Sequence, residues 1–131
     1  MEKFYFGKGV VRYKNDGWVI IECPLSIVNY YRWWIEKFIG KKTSTSYHRP
    51  HISVVAAKHE PAKDLTHWKK WEGKEVEFKY YSTIYSNKDV GADRYFWLVV
   101  ECPKAAEIRQ ELGLKPNLKW PYHLTICYLG Y

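Results

Sequence analysis

Cysteine is scarce in this chain. Cys23, Cys102 and Cys127 are an odd set with no Cys-x-x-Cys pair, which argues against both a disulfide framework and a cysteine-based zinc knuckle. Long apolar runs are missing too: no stretch approaches the roughly eighteen residues of a membrane-spanning helix. The opening Met1-Glu2-Lys3-Phe4-Tyr5-Phe6-Gly7 has neither the apolar region nor the cleavage site of a secretory signal. Together these absences lead us to expect a soluble chain in a reducing cytoplasm, with its three thiols buried. There is no Pro-, Gly- or Ser-rich linker and no low-complexity tract, so 131 residues are expected to form a single domain around one core. Acidic side chains are in the minority, 14 against 21 Lys plus Arg, for a net charge of +7. A basic balance favours phosphate-bearing partners, although it serves solubility as well.

What the chain has in quantity is aromatic surface, 12 Tyr, 7 Trp and 5 Phe, enough to fill a core and leave rings on which bases could stack. It also has a repeat. His51-Ile52-Ser53-Val54 and His123-Leu124-Thr125-Ile126 share the pattern His, aliphatic, hydroxyl, aliphatic. Upstream, Trp18-Val19-Ile20-Ile21-Glu22-Cys23-Pro24 is matched by Trp97-Leu98-Val99-Val100-Glu101-Cys102-Pro103. A strand places residues i and i+2 on one face, so each His lies beside its own hydroxyl. If the copies pair, two imidazoles and two hydroxyls share a face about a pseudo-twofold axis. The repeat argues for architecture; only the His and hydroxyl content argues for catalysis.

Phe4 to Tyr13 reads as a strand with Gly7 and Gly9 as bulge points. Asn15-Asp16-Gly17 turns it into a second strand, Trp18 to Cys23. Pro24 opens a helix in which Ile27, Tyr31, Trp34, Ile35 and Phe38 recur as a core stripe, with Gly40 as its cap. Residues 41–49 form a loop leading to the first His strand, 50–57. A short helix is expected near Asp64 to Trp71, then a strand from Glu75 to Ser86, a turn, and a strand from Tyr95 to Glu101. Pro103 to Leu112 is a helix, 114–120 a loop and 121–131 the last strand. The fold class is therefore α+β, built of two pseudo-symmetric halves (about 1–57 and 74–131). Helices should cover one face of the sheet and leave the other as a groove. Ile52, Val54, Leu124 and Ile126 should face the helices; Arg49, His51, Ser53, His123 and Thr125 should face the groove.

Paired His-x-Ser/Thr motifs in a duplicated α+β chain resemble the 2H phosphoesterase superfamily over nearly the whole length, Trp18 to Tyr131. Its members include RNA 2′,3′-cyclic phosphodiesterases, 2′,5′ RNA ligase-like proteins and phage enzymes that degrade the cyclic oligonucleotides of CBASS immunity. The compact length and the Pro-Tyr-His-Leu-Thr-Ile ending lean toward the phage (viral) branch. Many relatives carry Leu-Gly after the first motif, whereas here Leu129-Gly130 follows the second. The resemblance implies a bilobal, two-lobed sheet with a central groove and a metal-independent phosphodiesterase without cofactor. His51 and His123 would be the catalytic histidines, and Ser53 and Thr125 the phosphate-holding hydroxyls. The substrate would be a cyclic oligonucleotide or an RNA end, met in the host cytoplasm if the chain is phage-encoded, with no membrane and no obligate protein partner.

The chemistry fits those residue types. Histidine titrates near neutrality, so a neutral ring and a protonated one can divide base and acid roles between them. Hydroxyls can donate to non-bridging oxygens. Around the motifs, Arg49 is placed to pair with phosphate, and Tyr47, Tyr122 and Trp120 are candidates for stacking a base. Three alternatives stand beside this chemistry. A nucleophilic serine lacks the Gly-x-Ser-x-Gly elbow. A metal site among His48, His51, His59 and His67 lacks ligand spacing. A non-catalytic nucleotide- or RNA-binding module would use Lys41, Lys42, Arg49, Lys119 and the aromatics, but would have no need to keep all four motif residues.

Overall fold

A computed structural model describes residues 2–45, 48–87, 94–118 and 120–129. The chain runs β1 (Phe4–Tyr13), β2 (Val19–Glu22), α1 (Leu25–Ile39), β3 (His51–Val55), β4 (Glu75–Ser86), β5 (Arg94–Glu101), α2 (Pro103–Glu111) and β6 (His123–Leu129). Each half is thus β-β-α-β, and the class is α+β as expected. All strand pairs are antiparallel, in the order β1-β2-β3-β6-β5-β4, and β4 returns to β1. The sheet therefore closes into a six-stranded, barrel-like ring. Closure follows from the N-terminal strand. Residues 4–10 pair continuously with 75–81, because Gly7 and Gly9 let the two backbones and the core approach. A Cβ at Gly7 would stand 2.7 Å from Phe78, and one at Gly9 would stand 2.5 Å from Ile21. These glycines serve close packing and not bulges.

The register shifts occur elsewhere. Val19↔Val55 is followed by Ile20↔Ser53, and Phe96↔Cys127 by Trp97↔Thr125. Each His strand therefore carries its extra residue, Val54 or Ile126, directly after its hydroxyl. An extra residue lets two consecutive side chains turn the same way. Val54-Val55 and Ile126-Cys127 are accordingly all buried. Measured by these matched bulges, the two Trp heptads are offset by two residues, since Glu22 lies opposite His51 whereas Val99 lies opposite His123. An even slip preserves the face each side chain takes, so the sequence repeat survives it.

One core joins both helices to one face of the sheet. It includes Ile52, Val54, Leu124 and Ile126 with Val28, Tyr31 and Ile35 of α1 and Ala105, Ile108 and Leu112 of α2. Gly40 caps α1 in the left-handed region, its N–H donating to the Glu36 carbonyl. The expected stripe on α1 is only half core: Trp34 and Phe38 are exposed, and Val28 takes the third inward position. In place of a helix near 64–71 there are successive turns held by i→i+3 bonds, such as Trp68 N–H to the Leu65 carbonyl. The three cysteines are free and buried, and burial pushes the Cys23 thiol up to about 12.

Arg109 of α2 is fully buried and unites distant parts of the chain. Its guanidinium donates to the carbonyls of Lys115 (2.7 Å) and Val54 (3.0 Å) and to the Glu60 carboxylate. The Val54 bond fastens the bulge in β3 to α2. Arg109→Ala strands these acceptors and opens a void, so urea unfolding should show a loss on the order of 3 kcal/mol. Glu60→Gln, at an exposed carboxylate, should cost far less.

Candidate active site

Antiparallel pairing of Ile52 with Leu124 unites the two His strands. In that register His51 stands opposite Thr125 and Ser53 opposite His123, all four on the face turned away from the core. Directly opposed Cβ atoms in such pairs sit about 5 Å apart, and diagonal ones about 7–8 Å. Each imidazole thus has its own strand's hydroxyl along the chain and the other strand's hydroxyl across the seam. All four side chains are half-buried, which leaves them reachable.

Both rings are oriented in the same way. Nδ1 of His51 lies 2.8 Å from the Arg49 carbonyl, and Nδ1 of His123 lies 3.4 Å from the Pro121 carbonyl, in each case two residues back. A carbonyl can only accept, so Nδ1 is the donor and Nε2 keeps the lone pair in the neutral ring. The nitrogen that can exchange a proton with a ligand is therefore Nε2 in both histidines. The loop before His51 is anchored for this: buried Thr43 accepts from Arg32 Nε (3.0 Å), and its N–H donates to Glu36 (2.6 Å). Ser44 bridges to Tyr128 of β6.

The flanking strands break the symmetry. His51 faces Glu22, whose carboxylate accepts from Arg12 Nε at 3.1 Å, while His123 faces Val99. Burial holds the His123 imidazole below its ordinary value of 6.5, and its electrostatic interaction with His51 pushes the same way against the Pro121 carbonyl. His123 is therefore neutral at neutral pH, in the form that can take a proton.

A cleft of about 300 Å³ runs past His51 and Thr125, lined also by His48, Arg49, Thr45 and Tyr128. The Arg49 side chain is exposed on this cleft. His48 is exposed, with its ring 6.4 Å from that of His51. Tyr122 is not a stacking surface: it is buried in the core, its hydroxyl donating to the Pro116 carbonyl at 2.8 Å. Trp120 is exposed, with its ring 6.1 Å from His59. Tyr47 lies outside the described residues. Among the described residues no three His, Cys, Asp or Glu side chains are grouped so as to hold a metal ion, and no helix is long and apolar enough to cross a membrane.

A row of rings, not apparent from the sequence, lies beside the motif. Trp97 pairs with Thr125, and from it the row extends to Tyr95 (5.0 Å), Tyr85 (6.2 Å, nearly parallel) and, through Tyr95, Tyr128 (6.2 Å). The alternation of Tyr95 and Trp97 in one strand was visible in the sequence; their position beside Thr125 depends on a register that was not. Searches of protein-family models, curated proteins and solved structures found no match to this chain.

Two measurements check this geometry. Because the folded state resists protonating His123 while the unfolded chain does not, stability is full above pH 6.5 and should fall as pH drops through that value. In His123→Gln, unfolding followed between pH 7.5 and 5 should lose this component of the fall. Tyr122→Phe should cost about 1 kcal/mol in urea unfolding and leave the half-buried face, read by histidine NMR shifts, unchanged.

Proposed function

We propose that this chain is a metal-independent phosphodiesterase of the 2H type, its two β-β-α-β halves acting as the lobes and the four motif residues as the catalytic set. The supporting observation is the Ile52–Leu124 pairing, which turns two His-hydroxyl couples toward one face with both Nε2 atoms available. In this reading neutral His123 removes the proton from a ribose 2′-hydroxyl, whose oxygen attacks the adjacent phosphorus. His51, protonated at Nε2, gives its proton to the departing 5′-oxygen. Ser53 and Thr125 donate to the non-bridging oxygens, where charge builds in the transition state. A 2′,3′-cyclic phosphate and a free 5′-hydroxyl result.

The substrate in this proposal is a nucleotide phosphodiester, with a cyclic oligonucleotide signal of the anti-CBASS kind ahead of an RNA end. The net charge of +7 suits a polyanion. The row from Trp97 to Tyr128 offers ring faces beside the phosphate position, and stacking is worth about 1–3 kcal/mol per base. Arg49, exposed on the cleft, is the nearest cation to His51 in sequence and would meet a second phosphate.

Incubation with cyclic di- and trinucleotides, short RNAs and 2′,3′-cyclic mononucleotides, read by mass spectrometry, tests the proposal. Wild type should cleave at least one cyclic oligonucleotide in the presence of EDTA, and a 2′-deoxy linkage should resist. His51→Ala and His123→Ala should each lower kcat by about a hundred- to ten-thousand-fold, and Thr125→Val by about a hundredfold. Trp97→Ala should raise KM about tenfold with little change in kcat. Binding without turnover by wild type would favour a non-catalytic nucleotide-binding module instead, and loss of activity with EDTA restored by zinc would favour metal chemistry.

A further inference from the structure

Helix α1 has two apolar faces, and the core uses one. Tyr30, Trp34 and Phe38, spaced by four, form the other, and they are 59%, 49% and 92% exposed. Facing this stripe across an open cleft are Tyr5 of β1, Tyr80 and Ile84 of β4 and Phe96 of β5. The cleft measures about 920 Å³, roughly three times the one beside His51, and it lies on the core side of the sheet, away from the paired histidines. Close-packed interiors do not leave such volumes, whereas ligand pockets of about 300–1,000 Å³ are ordinary.

Its polar groups are all donors or neutral. Among the described residues, Lys3 and Arg94 are the charged ones that line it, and no described Asp or Glu does. The Arg94 guanidinium is set at the rim by two bonds to the Ser86 hydroxyl (3.3 and 3.1 Å) and by its position over the Phe96 ring at 5.0 Å. Two of its five N–H donors are thereby used and the others remain for a ligand. Burial pushes the Tyr31 phenol up to about 12 and raises that of Tyr80, so both line the cleft as uncharged hydroxyls.

We propose that the cleft between α1 and the β4–β5 face is a second binding site that takes one amphipathic anion, its apolar body among Trp34, Tyr80 and Phe96 and its acidic head at Arg94 and Lys3. A neutral apolar ligand would leave those two cations without a partner at the mouth. A second copy of this chain is disfavoured because a symmetric contact would press the same cationic rim, on a chain of charge +7, against itself.

The test uses the full chain with 1-anilinonaphthalene-8-sulfonate as a fluorescent aromatic anion. Saturable binding at one site is expected, with displacement by dodecyl phosphate or dodecanoate below their micellar concentrations and not by dodecanol. Arg94→Gln should weaken dodecyl phosphate about tenfold or more, and Trp34→Ala should weaken both anions, with thermal unfolding unchanged in each. His51→Ala and His123→Ala should bind the probe like wild type, which separates this site from the phosphodiesterase reading. The proposal is overturned if the probe does not bind, if dodecanol competes as well as dodecyl phosphate, if Arg94→Gln binds unchanged, or if sedimentation shows a dimer that hides the cleft.

Discussion

A single bridged pair, Ile52 with Leu124, holds β3 against β6, and through it the two halves of the molecule meet on the histidine side. On the opposite side of the ring β1 and β4 share seven paired positions. The halves thus share a long ladder along one seam and a short one along the other, where Ser44 also exchanges backbone bonds with Tyr128 and Arg109 bonds to Val54, and the four motif residues flank the short ladder. Both aliphatic side chains of the pair are fully buried. Their hydrophobic packing, at about 1.5–3 kcal/mol for each side chain, therefore fixes the register that sets His51 against Thr125 and Ser53 against His123. Sliding the seam by one residue would exchange core and open faces and bury the imidazoles.

The bulges after Ser53 and Thr125 are the second constraint. Each allows two successive residues to enter the core, which ends the alternation where the motif ends and commits the strand beyond it to packing. In the first half the bulge is held by Arg109 through the Val54 carbonyl. A cation with no exposed surface thereby reaches from α2 to within one residue of Ser53, and through Lys115 it also ties down the loop leading to the second motif. Also in the first half, Thr43, Arg32 and Glu36 fix the approach to His51 from α1. Buried polar groups of this kind specify one arrangement among several apolar ones because their acceptors have no alternative partner.

Local signals in the sequence located most of the elements, because Asn15-Asp16-Gly17, Pro24, Gly40 and Pro103 act within a few residues of themselves. The facing of Ile52 and Leu124 toward the core and of the four motif residues away from it followed from strand alternation alone. Closure of the sheet was not legible: it depends on β1 meeting β4, where Gly7 lies against Phe78, a contact between residues far apart in the chain. Nor was the fate of the rings. Tyr122 adjoins His123 and was read as a candidate contact, yet alternation sends it inward to Pro116, while Trp97, far away in sequence, arrives beside Thr125 through strand pairing. The α1 stripe was misread for a related reason. Helical spacing shows which residues share a face but not how wide a face the sheet can cover, and here Val28, Tyr31 and Ile35 are buried and Ile27 and Ile39 partly so, while Trp34 and Phe38 stay exposed.

A duplicated motif gives two equivalent imidazoles, and equivalence would be a handicap for the proposed reaction, which needs one ring neutral and the other charged. Within the motif nothing distinguishes them, since both Nδ1 atoms face the carbonyl two residues back. The distinction comes from the neighbouring strands and from the two-residue slip between the heptads. Because of that slip a carboxylate, Glu22, stands beside His51, whereas its counterpart in the second heptad, Glu101, is carried off to Lys79 and Tyr81 and leaves Val99 beside His123. Burial then disfavours the protonated form of His123, and the nearness of the other imidazole pushes the same way. The even slip thus keeps every side chain on its proper face while changing the company of only one histidine, so a symmetric pair acquires unequal environments, as the proposed acid–base chemistry would need.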